Sequence, residues 1–270
     1  MQWSYRLRCR TLRLRERNMH SDSRAGALNV RRVADRCTMV RLLEDPAIRN
    51  RHAIFRDRTD AGKRLAAFII QHLPLENPLI CAIPAGGVPI GLELAEAFQA
   101  RMFLGVVRKL KVPWNPEAGF GSMTWDGTVY LNQELVRLLA LTDDEVREAV
   151  SETRKNIQER IRKFTGGRSL PDIRGRTVIV TDDGLASGYT MKAAVEALRT
   201  GEPGQIIVAV PTGSSGAVAV LSGIADTVVC LNLSQASRFA VADAYQSWYD
   251  LDDEEIVQYL AHAEKSQLLA

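Results

Sequence analysis

Long apolar runs are missing from this chain of 270 residues: none approaches the roughly 18 residues of a membrane-spanning helix. Cysteine is scarce. The four present (Cys9, Cys37, Cys81, Cys230) form no C-x-x-C pair. Cys81 and Cys230 sit in apolar, strand-like stretches, so the reading is buried free thiols in a reducing cytoplasm, not a disulfide framework. The four histidines (His20, His52, His72, His262) are too dispersed for zinc-ligand spacing. An apolar h-region is missing too, so no secretory signal is expected.

What is present is an ordinary globular composition, 46% hydrophobic and 25% charged. The formal charge of +3 hides an asymmetry. Residues 1–38 hold ten Arg against three acids, about +7, and the other 232 residues hold 25 basic and 29 acidic, about −4. The Arg-rich stretch has no clear apolar period. It fits a nucleic-acid arm, an organelle transit peptide, or a disordered extension preceding a start at Met39.

From about residue 40 the pattern becomes regular. A helix is expected over Thr59–His72, capped by Thr59 or Asp60, with Leu65, Phe68 and Ile69 as its apolar stripe. "PLICAIP" (78–84) predicts a buried strand and "PIGLELAEAFQA" (89–100) the helix behind it. "RMFLGVVRKL" (101–110) predicts a second strand ending in Arg108 and Lys109, and 111–132 a long loop with short strands. A capping box, Thr142 with Glu145, opens a charged helix over 143–164. Beyond it come strand 177–181, helix 190–200, strand 205–210, helix 214–222, strand 227–231 and an acidic helix from about Asp252. Short apolar strands alternating with helices imply an α/β fold, a parallel twisted sheet flanked by helices.

The stretch "VIVTDDGLASGYT" (178–190) concentrates the chemistry. Asp182 and Asp183 end an apolar strand, where ligands of open parallel sheets bind. Two adjacent carboxylates repel and are costly to desolvate, so a hydroxyl-rich ligand or a cation is expected between them. The small-residue turn behind them leads into a helix whose free amides and dipole suit a phosphate. Gly184 and Gly188 permit close approach, and Ser187 and Thr190 add hydroxyls. The stretch is neither a Walker A loop, since the Lys after the second Gly is missing, nor G-x-G-x-x-G. A phosphorylated ribose with Mg²⁺ would satisfy acids and loop together.

The stretch resembles the phosphoribosyl-pyrophosphate (PRPP) signature of type I phosphoribosyltransferases. "CAIPAGGVPIGLELAEAF" (81–98) resembles the pyrophosphate loop of that family. The resemblance spans about 55–250. "FRDRTDAG" (55–62), "NPE" (115–117) and "WY" (248–249) make it closest to a branch of uncharacterised phosphoribosyltransferases. It implies a phosphoribosyltransferase-like domain over 39–251 with a small hood at about 111–165, and a C-terminal helix over 252–270. It further implies transfer of the 5-phosphoribosyl group of PRPP to a small-molecule acceptor, usually a nucleobase, with release of pyrophosphate. Asp182 and Asp183 would hold the ribose hydroxyls and Mg²⁺, directly or through water. Gly184, Leu185, Ala186, Ser187, Gly188, Tyr189 and Thr190 would bind the 5-phosphate. Ala85, Gly86, Gly87, Arg108 and Lys109 would bind the pyrophosphate, and the loop at 111–123 would close over the reaction. A homodimer is the common state of such folds. Nucleic acid would be reached only through the N-terminal extension, and no membrane is involved.

Two positions depart from the pattern. Ala85 stands where relatives usually carry Arg or Lys, removing one charge-assisted contact of about 1.5–3 kcal/mol. Ala186 stands where 6-oxopurine enzymes place Asp, and no general base is evident. Those features leave open a non-catalytic protein that binds PRPP or a nucleotide and regulates a partner. Trp114 and Phe120 could stack a base or simply anchor the loop by packing.

Overall fold

The structure is a computed structural model that describes residues 41–168 and 170–270. The Arg-rich stretch 1–38 and Met39 lie outside the described residues. Among the described residues, no helix is long and apolar enough to cross a membrane.

Six parallel strands make the central sheet: β1 (Arg41–Leu43), β2 (Leu79–Ala82), β3 (Met102–Leu104), β7 (Thr177–Thr181), β8 (Gln205–Ser214) and β9 (Thr227–Ser234), ordered β1-β9-β8-β7-β2-β3. Side chains alternate between two apolar clusters. Ile80, Ala82, Ile179, Ile207, Ala209 and Val229 face α1 (Arg58–His72), α2 (Gly87–Phe98) and α7 (Asp253–Lys265). Leu79, Cys81, Val178, Val180, Val208 and Cys230 face α5 (Tyr189–Arg199) and α6 (Ser215–Val220). Both faces are therefore covered, as unbroken apolar strands require. Cys81 and Cys230 are free and fully buried, and burial pushes both thiols far above their ordinary range.

A second sheet stands beside the C-terminal ends of the strands. It is antiparallel, with β4 (Arg108–Val112), β5 (Asn115–Met123) and β6 (Val129–Leu131) in that order, followed by α3 (Gln133–Leu138) and α4 (Asp143–Thr165). Leu110, Phe120, Met123, Ile157 and Phe164 join this hood to the first apolar cluster. The α4 capping box forms as expected: the Thr142 hydroxyl accepts from the Glu145 amide, and the Glu145 carboxylate accepts from the Thr142 amide.

Several expectations need correcting. "RMFLGVVRKL" is not one strand: it breaks at Gly105–Val107, so Arg108 and Lys109 open a strand of the hood and do not end one of the parallel sheet. The expected loop 111–123 is mostly β5. The α1 cap is Asp57, not Thr59 or Asp60; its extended backbone (φ −155°) lets its carboxylate accept from the Asp60 amide at 2.8 Å. Phe120 is fully buried and serves packing, whereas Trp114 is 60% exposed.

The chain returns to the sheet at its far end. Met102 of β3 donates its amide to the Leu268 carbonyl at 2.6 Å, and the Ala270 amide donates to the Met102 carbonyl at 2.8 Å. Leu269 is thereby bridged in parallel to β3.

Candidate active site

β7 delivers Thr181, buried in the sheet, and the chain then turns through Asp182 and Asp183. The two acids have different surroundings. Asp182 lines a cavity of about 590 Å³ between the parallel sheet and the hood, and its Oδ1 accepts from the Asp183 amide at 2.9 Å. Burial, and then the charge of Asp183, push its carboxyl well above the usual range. Asp183 turns to Arg58, whose Nε donates to Oδ2 at 2.9 Å. Arg58 is 7% exposed, donates Nη1 to the Tyr249 carbonyl at 2.9 Å and stacks 4.0 Å from the Trp248 ring centre. The Tyr245 hydroxyl holds the Asp183 carbonyl at 2.6 Å. Burial still outweighs Arg58, leaving the Asp183 carboxyl raised.

The turn behind the acids is anchored at two points. Leu185 bridges to β8, its amide donating to Thr212 and its carbonyl accepting from Ser214, so this one amide of the expected phosphate loop is already committed. Its side chain is buried in the second apolar cluster. The Ser214 hydroxyl donates to the Ala186 carbonyl and accepts from the Ala217 amide, capping α6. Gly188 takes the left-handed conformation (φ +78°) that starts α5, and a Cβ there would lie 2.7 Å from the Ala217 carbonyl. Among the described residues, the amides of Ala186, Ser187, Gly188, Tyr189, Thr190 and Met191 meet no protein acceptor. Six such donors follow one another at one helix start, an arrangement that suits an anion.

The expected pyrophosphate loop lies against the acids. A Cβ on Gly86 would fall 1.9 Å from Asp183 Oδ2, and one on Gly87 2.7 Å from the Thr181 carbonyl, so only glycine permits this approach. Ala85 lines the cavity with Arg108 and Lys109. The structure therefore gathers Ala85, Arg108, Lys109, Asp182 and Thr190 around one cavity and sets Gly86 and Gly87 beside it, while Asp183 faces Arg58.

Sequence reasoning missed two groups. Arg58 and Tyr245 meet Asp183 from segments far apart in sequence, with Trp248 packed against both; Arg58 and Trp248 lie in the "FRDRTDAG" and "WY" motifs, which carried no assigned role, and Tyr245 lies in neither. The second group is the cavity wall from α4: Glu152, Thr153, Asn156 and Arg160. Their spacing of one, three and four residues along the expected helix was the available clue.

Known proteins resemble this chain in sequence and fold. Residues 126–244 match the family model of the phosphoribosyl transferase domain. The chain is 38% identical over 213 residues, 78% of its length, to "Putative phosphoribosyl transferase Rv0571c" of Mycobacterium tuberculosis H37Rv. The chain carries a phosphoribosyl transferase domain. The same values hold for "Putative phosphoribosyl transferase MT0597" of M. tuberculosis CDC 1551. The chain spans about half the length, 47%, of these two relatives. Among solved structures, TT1426 of Thermus thermophilus superposes with a TM-score of 0.65 at 29% identity, covering 80% of this chain and 99% of that one. Phosphoribosyltransferases are enzymes of the glycosyltransferase type, and the parallel sheet, flanking helices and hood follow the architecture the resemblance implied.

Proposed function

We propose that this chain transfers the 5-phosphoribosyl group of PRPP to a nitrogen of a small acceptor and releases pyrophosphate. One observation carries the reading: six uncommitted amides at the start of α5 adjoin a cavity lined by Asp182, a raised carboxyl that makes no ion pair among the described residues. The cradle takes the 5-phosphate, with Ser187 and Thr190 adding hydroxyls. Asp182 accepts from the ribose hydroxyls, and Asp183, fixed by Arg58 and Tyr245, holds the turn that presents it. Gly86, Gly87 and Lys109 border the diphosphate.

Asp182, the acid that meets the cavity, fits Mg²⁺, which takes one or two carboxylates together with substrate phosphates and water. Among the described residues there is no cluster of three or more His, Cys, Asp or Glu that could hold a metal without substrate. Bound Mg²⁺ neutralises the diphosphate as a leaving group. In the transfer, the C1–O bond breaks with its electron pair leaving on the diphosphate. The acceptor nitrogen forms the new C1–N bond from its lone pair, and its N–H proton passes to solvent. The hood limits water at the oxocarbenium-like C1, since water is the competing nucleophile.

The cytoplasm is the compartment proposed, from the two buried free thiols, and a homodimer the assembly, from the family resemblance. Pyrophosphate release from Mg-PRPP across an acceptor panel tests the activity, with Asp182→Asn as control. A PRPP-induced melting shift tests the site itself; ligand at 100 times its Kd adds about 2.7 kcal/mol. A shift without turnover by any acceptor would favour the regulatory reading that Ala85 leaves open.

A further inference from the structure

The hood end of the cavity carries a charge imbalance. Arg108 and Arg160 both line it, and Arg108 Nε donates to Asn156 Oδ1 at 3.2 Å, which draws that guanidinium toward α4. Asp253 is the carboxylate facing this group from α7. It already receives Arg160 Nη2 at 3.2 Å and Lys163 Nζ at 2.9 Å. Arg160 and Lys163 thus share the Asp253 carboxylate, which acts on Arg108 only through space, while Glu152 is the α4 carboxylate on the same wall. Arg160 Nη1 is buried with no hydrogen-bond partner. Burial first, and Arg160 second, push the Arg108 guanidinium down to about 10. Arg160 keeps Asp253 and the Phe164 ring as partners, but a buried N–H without an acceptor is costly, and an incoming anion relieves it. The rest of the wall is also informative: among the described residues lining the cavity, none is aromatic. A neutral base would find no ring to stack on, whereas Glu152, Thr153 and Asn156 supply polar groups.

We infer that Arg108 and Arg160, bridged by Asn156, form an anion subsite for the acceptor, which therefore carries a carboxylate besides its nucleophilic nitrogen. The inference rests on the phosphoribosyl-transfer reading and deepens it. The other anion available here is the PRPP diphosphate, which the glycine loop and Lys109 flank; the test separates the two.

The experiment compares heterocycles that differ mainly by a carboxylate, nicotinate against nicotinamide and orotate against uracil. For each it measures pyrophosphate release from Mg-PRPP and the melting shift in the presence of PRPP. The expected result is turnover and a further shift with a carboxylated member and neither with its neutral partner. Arg160→Gln should then raise the KM for that acceptor roughly ten- to hundredfold, the scale of one lost charge-assisted hydrogen bond, and leave the PRPP-induced shift unchanged. Asn156→Ala, which keeps the ion pair to Asp253, should weaken the same preference without altering the melting temperature of the free protein. Equal response to both members of every pair, or to neither, overturns the inference while the PRPP shift upholds the parent reading. If Arg160→Gln weakens PRPP instead, the subsite belongs to the diphosphate and the inference fails. No shift with PRPP in the wild type removes the parent reading, and this one with it.

Discussion

Arg58 and Asp183, 125 positions apart, form an ion pair with side chains 8% and 14% exposed. The pair ties the start of α1 to the turn that carries the site, and Trp248 and the Tyr249 carbonyl complete its surroundings. Asp183 thereby acts on the turn through Arg58, whereas Asp182 meets the cavity.

Breaking that pair from one side leaves a buried charge alone. Arg58→Ala should cost about 3 kcal/mol or more, roughly 6–12 °C in melting temperature at 2–4 °C per kcal/mol. Adding Asp183→Asn to it should cost less than Asp183→Asn costs alone. A double-mutant cycle by thermal or urea unfolding measures the coupling; additive effects would show that the pair does not operate as a unit.

Asp182→Asn should stabilise the ligand-free protein while abolishing turnover. The carboxyl is raised in the folded chain, so the fold binds its proton more tightly than the unfolded chain does, and stability is lost as pH rises above the ordinary carboxylate value. The variant escapes that loss. Its advantage over the wild type should therefore widen as pH rises above the ordinary carboxylate value of about 3.9, in melting curves recorded without PRPP or Mg²⁺.

Gly188→Ala tests the cradle. The left-handed backbone there costs an L-residue about 1–2 kcal/mol, and the added methyl would meet the Ala217 carbonyl. The expected outcome is a lower melting temperature together with a smaller PRPP-induced shift, because the amides of 186–191 are positioned by this turn.

Asp253 gives an acid-side prediction. Lys163, and then Arg160, hold its carboxyl below the usual range, so its contribution is fully present above the unfolded value of about 3.9 and lost as pH falls through its folded value. Asp253 is one-third exposed, so the contribution should be only about 0.2–1 kcal/mol per pair. The stability gap between wild type and Asp253→Asn should close below about pH 4 in an acid-unfolding series.

Local pattern revealed much of this molecule. Strand Thr177–Thr181 and the Thr142–Glu145 box follow from apolar runs and capping chemistry that act over a few residues. The break inside "RMFLGVVRKL" was hidden because Val106 and Val107 are as apolar as a strand interior, though they join two sheets. β1 was missed because its three residues become a strand only by pairing with β9, some 186 positions later. In the site, the acids, glycines and loop hydroxyls were legible since their neighbours in sequence are their neighbours in space. Arg58 over Trp248, and the α4 side chains facing Arg108, were not, because tertiary packing alone brings them together.

The pairing of Leu269 with β3 also bears on how copies of the chain can meet. A parallel sheet normally leaves a row of open amides and carbonyls along its last strand, inviting another chain to extend it. Here the backbone on both sides of Leu269 takes up the amide and carbonyl of Met102. Association through β3 would first require those last residues to be peeled away, so a dimer of this protein has to be built from helix or hood surfaces or from the opposite border of the sheet.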